Sequence, residues 1–107
     1  MSDGLEVNGE ISIPRDELAI RASRSGGAGG QHVNTSSTRI ELLWNAAATR
    51  ALPDAVRAGV LQRLARRTNA DGIIRIVSSE HRSQLRNREA AEERLVKLVR
   101  SALTVPR

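Results

Sequence analysis

The sequence predicts an α+β fold: a small, mostly antiparallel sheet packed on one side by two helices, with a long glycine-rich loop between two strands. Three patterns point to it. Apolar and polar residues alternate on both sides of the stretch Gly26-Gly27-Ala28-Gly29-Gly30. The run Ile73-Ile74-Arg75-Ile76-Val77 is dense in β-branched residues. Across residues 83–103, Ala91, Leu95, Leu98 and Ala102 recur at helical spacing, with Arg and Glu on the opposite face.

In chain order, Leu5, Val7, Ile11 and Ile13 flank Asn8-Gly9, a dipeptide suited to the type I′ turn of a small N-terminal hairpin. Leu18, Ile20 and Ala22 then mark a strand that feeds directly into the glycines, and Ile40, Leu42 and Trp44 mark a strand that leaves them. Pro53 suits the first position of a helix whose face carries Val56, Val60, Leu61 and Leu64. Asp71-Gly72 is a turn signal ahead of the strand at 73–77. The helix at 83–103 closes the chain, and there is no internal repeat.

A length of 107 residues fits a single domain over 1–107, with residues 1–9 flexible or in the hairpin. With no Phe or Tyr and one Trp, the core must be built from Leu, Ile, Val and Ala, and Trp44 belongs to it. The same shortage argues against single-strand binding by aromatic stacking. The absence of Cys removes disulfides, thiolate catalysis and Cys-based zinc sites. His32 and His81 are the only imidazoles and lie far apart, so no metal and no cofactor is expected. No targeting segment and no membrane-spanning apolar run is recognisable, which leads to the expectation of a cytoplasmic protein without a membrane partner.

Charge is distributed unevenly. Residues 1–20 sum to −4, which leaves +9 on the remainder of a chain of net charge +5. All the basic residues except Lys97 are Arg, the side chain suited to forked phosphate contacts. A polyanion-binding surface and a merely solvated Arg-rich surface both fit this count.

The glycines let another molecule approach the backbone N–H groups closely, at a cost of about 0.5–1 kcal/mol each relative to Ala when ordered. No Gly-Lys-Ser/Thr ending follows, as a phosphate-binding P-loop requires. A strand, not a helix, comes next, so a dinucleotide fingerprint fails as well.

The run Gly29-Gly30-Gln31-His32-Val33-Asn34-Thr35 resembles the signature of translation release factors. A second block, Arg82-Ser83-Gln84 followed by Asn87-Arg88 and Ala90-Ala91, resembles a segment that follows it in these proteins. The resemblance covers roughly residues 10–103. It is strongest to the codon-independent rescue type, alternative ribosome-rescue factor B and its mitochondrial relatives.

The resemblance implies hydrolysis of the peptidyl-tRNA ester in the ribosomal peptidyl transferase centre, with ribosomal RNA and P-site peptidyl-tRNA as partners and a monomer off the ribosome. Gly29, Gly30 and Gln31 would be catalytic, and Gly26, Gly27, His32, Val33 and Asn34 would support the loop. Arg21, Arg24, Arg39, Arg82, Ser83, Gln84, Asn87 and Arg88 would bind RNA or brace the loop. Ordinary helix-surface contacts are the competing reading for Arg82, Gln84 and Arg88.

His32 is expected to pack or hydrogen-bond at the loop exit, not to act as a base. Residues 35–38 read as a polar turn, and Glu80 beside His81 as a coincidence. Thr35 stands where the rescue type carries Lys. Residues 104–107 are read as the start of a basic tail that is truncated or absent. Alternative functions are a non-hydrolytic ribosome- or RNA-binding module, or an accessory release factor that needs a separate recognition partner.

Overall fold

The computed structural model describes residues 4–24 and 38–103. β1 (Gly4–Glu6) and β2 (Ser12–Pro14) form an antiparallel ribbon with Leu5 opposite Ile13, and both side chains are buried beside Val7. The connection is longer than the two-residue type I′ turn expected from Asn8-Gly9. Val7 and Asn8 donate their N–H groups to the Ile11 carbonyl (2.9 and 3.2 Å), while the Asn8 side-chain oxygen accepts from the N–H groups of Glu10 and Ile11 (2.8 Å each). A side-chain-mediated turn has therefore replaced the backbone one. Gly9 also lacks the positive φ that a type I′ turn demands.

A 3-10 turn at Arg15–Glu17 leads into the main sheet, ordered β3 (Leu18–Arg24), β4 (Thr38–Asn45) and β5 (Ile73–Ser78), antiparallel throughout. Period-two alternation sends Ile40, Leu42 and Trp44 of β4, with Ile74 and Ile76 of β5, to the buried face. Arg39, Glu41 and Leu43 alternate to the other face. Trp44 is 0% exposed and is the largest core residue.

α1 (Asp54–Arg63) begins one residue later than expected. Pro53 is extended (φ −60°, ψ 156°) and serves as the cap, its carbonyl accepting the Arg57 N–H at 2.8 Å. α2 (Gln84–Leu103) lies across β4 and β5, whereas α1 packs mainly on α2 and on the 3-10 turn Ala46–Ala48. The layer over the sheet is thus α2, with α1 backing it. Arg63 Nη1 donates to the Ala102 carbonyl at 3.0 Å and caps the end of α2, and Arg100 Nε donates to the Val7 carbonyl at 2.8 Å and ties α2 to the ribbon.

Gly72 forms the expected turn before β5 with φ +85°. A Cβ there would stand 2.4 Å from the Ala47 Cβ, so both conformation and space select glycine. In α2, Ala91, Leu95 and Ala102 face the core as expected, but Val99 is buried and Leu98 only half-buried. Asn87 and Glu92 also lie on the buried face.

Glu17 fastens the start of β3 to the far end of β4. Its carboxylate accepts from Trp44 Nε1 (3.1 Å), the Thr49 hydroxyl and the Arg50 N–H (3.0 Å). Burial is the largest single influence and would raise this carboxyl. The three hydrogen bonds, from Thr49, Arg50 and Trp44, together outweigh it and hold the group below its ordinary value of 4.5. A carboxyl lowered in the folded state contributes stability that is present above its unfolded pKa and lost as pH falls through the folded one. Acid titration of the melting temperature below about pH 4.5 should therefore be steeper for the wild type than for Glu17→Gln. Parallel curves would remove Glu17 from the acid response.

Candidate active site

The last paired residues of β3 and β4 are Arg24 and Thr38, so residues 25–37 leave and rejoin the sheet at one end of a single hairpin. Gly26, Gly27, Gly29, Gly30, Gln31, His32, Val33 and Asn34 lie outside the described residues. What the fold does define is the base to which they are attached.

That base is clamped by Asn87, which is 0% exposed. Its Nδ2 donates to the Thr38 carbonyl at 2.7 Å and to the His81 carbonyl at 2.9 Å. Its Oδ1 accepts from the His81 N–H at 2.9 Å and from the Ser78 hydroxyl at 3.1 Å. One carboxamide, with both donors and its acceptor oxygen satisfied, thereby joins the first residue of β4, the last of β5 and the approach to α2. Ser83 starts that helix, its hydroxyl accepting the Arg86 N–H at 3.2 Å. Gln84 is the first helical residue and is exposed, as is Arg82.

The other predicted residues fall into two groups. On the uncovered face of the sheet, Glu41 is shared by three arginines: Arg75 Nε at 2.7 Å, Arg21 at 3.4 Å and Arg39 at 3.8 Å. The hydrogen-bonded Arg75 guanidinium, helped by the charges of Arg75, Arg21 and Arg39, holds the Glu41 carboxyl below 4.5 against the effect of burial. Three cations around one carboxylate leave this face positive, and the buried Arg39 Nε has no hydrogen-bond partner among the described residues. Arg88 belongs elsewhere. It meets Glu92 at 3.3 Å, and Glu92 also binds Arg15 at 2.7 Å, which fastens α2 to the segment between β2 and β3.

The sequence reading missed Glu41, Arg75, Arg15 and Glu92. Cross-strand opposition of Arg21 and Glu41 is the one signal that register would have exposed. Glu80 pairs with Arg94. His81 lies 3.8 Å from Glu80 but is positioned by its backbone bonds to Asn87, in keeping with a structural role. Among the described residues, no group of His, Asp or Glu could hold a metal ion, and no helix is long and apolar enough to cross a membrane.

Residues 6–105 match the RF-1 domain, and the chain belongs to that family. It is 31% identical over 98 residues to the peptidyl-tRNA hydrolase ArfB of Pseudomonas putida, an alignment covering 92% of this chain and 71% of that protein. It is also 28% identical over 95 residues to the large ribosomal subunit protein mL62 of Mus musculus, covering 89% of this chain and 46% of the mouse protein. The chain therefore spans less than half the length of that second relative.

Proposed function

We propose that this chain hydrolyses the ester of peptidyl-tRNA on stalled ribosomes, releasing the nascent peptide without reading a codon. The observation that carries the proposal is the Gly29-Gly30-Gln31 sequence, set between two strands whose common end is clamped by Asn87. The similarity to a protein named peptidyl-tRNA hydrolase, extending over 92% of the chain, supports the same reading.

Water attacks the ester carbonyl, and negative charge develops on its oxygen. A preorganised backbone N–H at that oxygen contributes about 2.7–4 kcal/mol in measured oxyanion holes. The Gln31 amide N–H takes that role, and Gly29 and Gly30 give it clearance. The Gln31 side chain orients water and excludes larger nucleophiles. A neutral carboxamide cannot accept a proton near pH 7, so the proton leaves through the tRNA ribose hydroxyl and the ribosome. Gly26, Gly27, His32, Val33 and Asn34 support the segment. Arg21, Arg24, Arg39, Arg82 and Gln84 face ribosomal RNA phosphates, and Arg88 braces α2 through Glu92. In this reading the protein is a cytoplasmic monomer between encounters with the ribosome, and it needs no cofactor.

Ribosomes carrying peptidyl-tRNA on an mRNA that ends in the P site provide the test. Release should proceed there with no stop codon present. Release only when a stop codon fills the A site would contradict the codon-independent reading. The mouse relative is named a large ribosomal subunit protein, which supports ribosome association, and a second reading, a ribosome-bound module, keeps that association without hydrolysis. Such a module would show salt-dependent ribosome binding and no release at any protein concentration.

A further inference from the structure

β5 is an edge strand, and a groove of about 430 Å³ lies between it and α2, across the sheet from β3. Three cations line it, Arg67 from the 3-10 turn after α1 and Arg94 and Lys97 from α2, and Arg75 of β5 borders it with its guanidinium turned to Glu41. Half-buried Leu98 contributes an apolar surface above the buried Ile76, and no described lining residue is acidic. Carboxylates reach three of the cations from outside the groove: Glu41 binds Arg75 at 2.7 Å, Glu80 pairs with Arg94, and Glu93 stands 3.9 Å from Lys97. Arg67 has no carboxylate partner among the described residues. Arg94 is further fixed by donation from Nη1 to the Val77 carbonyl at 2.9 Å, so little side-chain entropy remains to be lost on binding.

We infer that this groove holds the sugar-phosphate backbone of an RNA strand, at a contact separate from the site of ester hydrolysis. Forked guanidiniums bind phosphate oxygens in pairs, and a chain in which all but one basic residue is Arg is suited to that geometry. The apolar surface of Leu98 fits the hydrocarbon edge of a ribose. The chain has no Phe or Tyr on which bases could stack, so the contact reads backbone and not sequence. The inference rests on the proposed ribosomal setting only in choosing RNA over an acidic peptide.

Lys97 is the only lysine in the chain, so its acylation reports directly on the groove. Modification by an amine-reactive acetyl ester, read by mass spectrometry against the α-amine, should slow severalfold when the full chain is bound to ribosomes or to a short uridine oligomer. Arg67→Gln with Lys97→Gln should reduce the salt slope of ribosome affinity by about 2, roughly 1 per lost phosphate contact. Arg50→Gln, an exposed arginine outside the groove, should leave the groove's protection intact. Undiminished acylation on the ribosome, a wild-type salt slope in the double variant, or protection by polyglutamate but not by RNA would each overturn the inference. Because occupancy is read without peptide release, loss of the hydrolytic reading would leave this test intact.

Discussion

Asn87→Ala should lower the melting temperature by about 12–24 °C, the shift that roughly 3 kcal/mol produces in a domain of this size. The substitution leaves the Thr38 carbonyl, both backbone groups of His81 and the Ser78 hydroxyl without the partner that satisfied them. Each buried polar group left unpaired costs about 1–3 kcal/mol, and repair by water limits the sum. Asn87→Asp offers no remedy: it keeps an acceptor but loses both donors and sets a carboxylate against two carbonyls. Thr38 is also the first β4 residue after 25–37, so loosening it should misplace the catalytic segment. Release by the folded protein at low temperature should then show a reduced maximal rate with a nearly unchanged half-saturating concentration. Calorimetry showing a shift below about 4 °C, the equivalent of under 1 kcal/mol, would mean that the clamp contributes little.

Gly30→Ala should reduce peptide release by about 100-fold or more, the loss that follows removal of one oxyanion donor. Residue 30 immediately precedes the Gln31 amide, so an added methyl group blocks the approach of the ester to that N–H. Gln31→Ala is expected to lose less, because it keeps the backbone N–H, but it should accept hydroxylamine as a competing nucleophile more readily. The melting temperature of both variants should stay near that of the wild type. Ribosome affinity should likewise be preserved, which separates a catalytic defect from a binding one.

Where a segment's partners lie on its own strand or helix, its pattern was legible in the sequence. β4 and β5 follow from alternation and β-branching, and most of the inner face of α2 follows from its period. Gly72 follows from the turn chemistry that its positive φ confirms. What escaped depends on partners distant in the chain. Glu92 reads as a polar helix residue because Arg15, which makes its burial tolerable, comes 77 residues earlier, and Asn87, named for RNA binding or loop bracing, meets Thr38 from 49 residues away. Glu17 counts in the sequence only as one of the acids of residues 1–20, yet Trp44 and Thr49 turn it into a fastening between strands. Asn8 organised a longer turn than its dipeptide suggested because its side-chain oxygen accepts two hydrogen bonds while its backbone N–H donates one. The candidate site divides in the same way. The Gly-Gly-Gln tripeptide and Asn87 are visible in the sequence, whereas the hydrogen bonds by which Asn87 holds the base of the segment appear only in the folded chain.

The central claim is that this tripeptide performs the hydrolysis and that the rest of the domain holds and delivers it. Single-turnover release of labelled peptide, from ribosomes whose A site holds no codon and with protein at saturation, tests it most directly. Rapid release by the wild type and a rate lower by about 100-fold or more for Gly30→Ala, with equal ribosome binding, is the result predicted. Equal release rates for the two proteins, or no release by a wild type that binds fully, would contradict it.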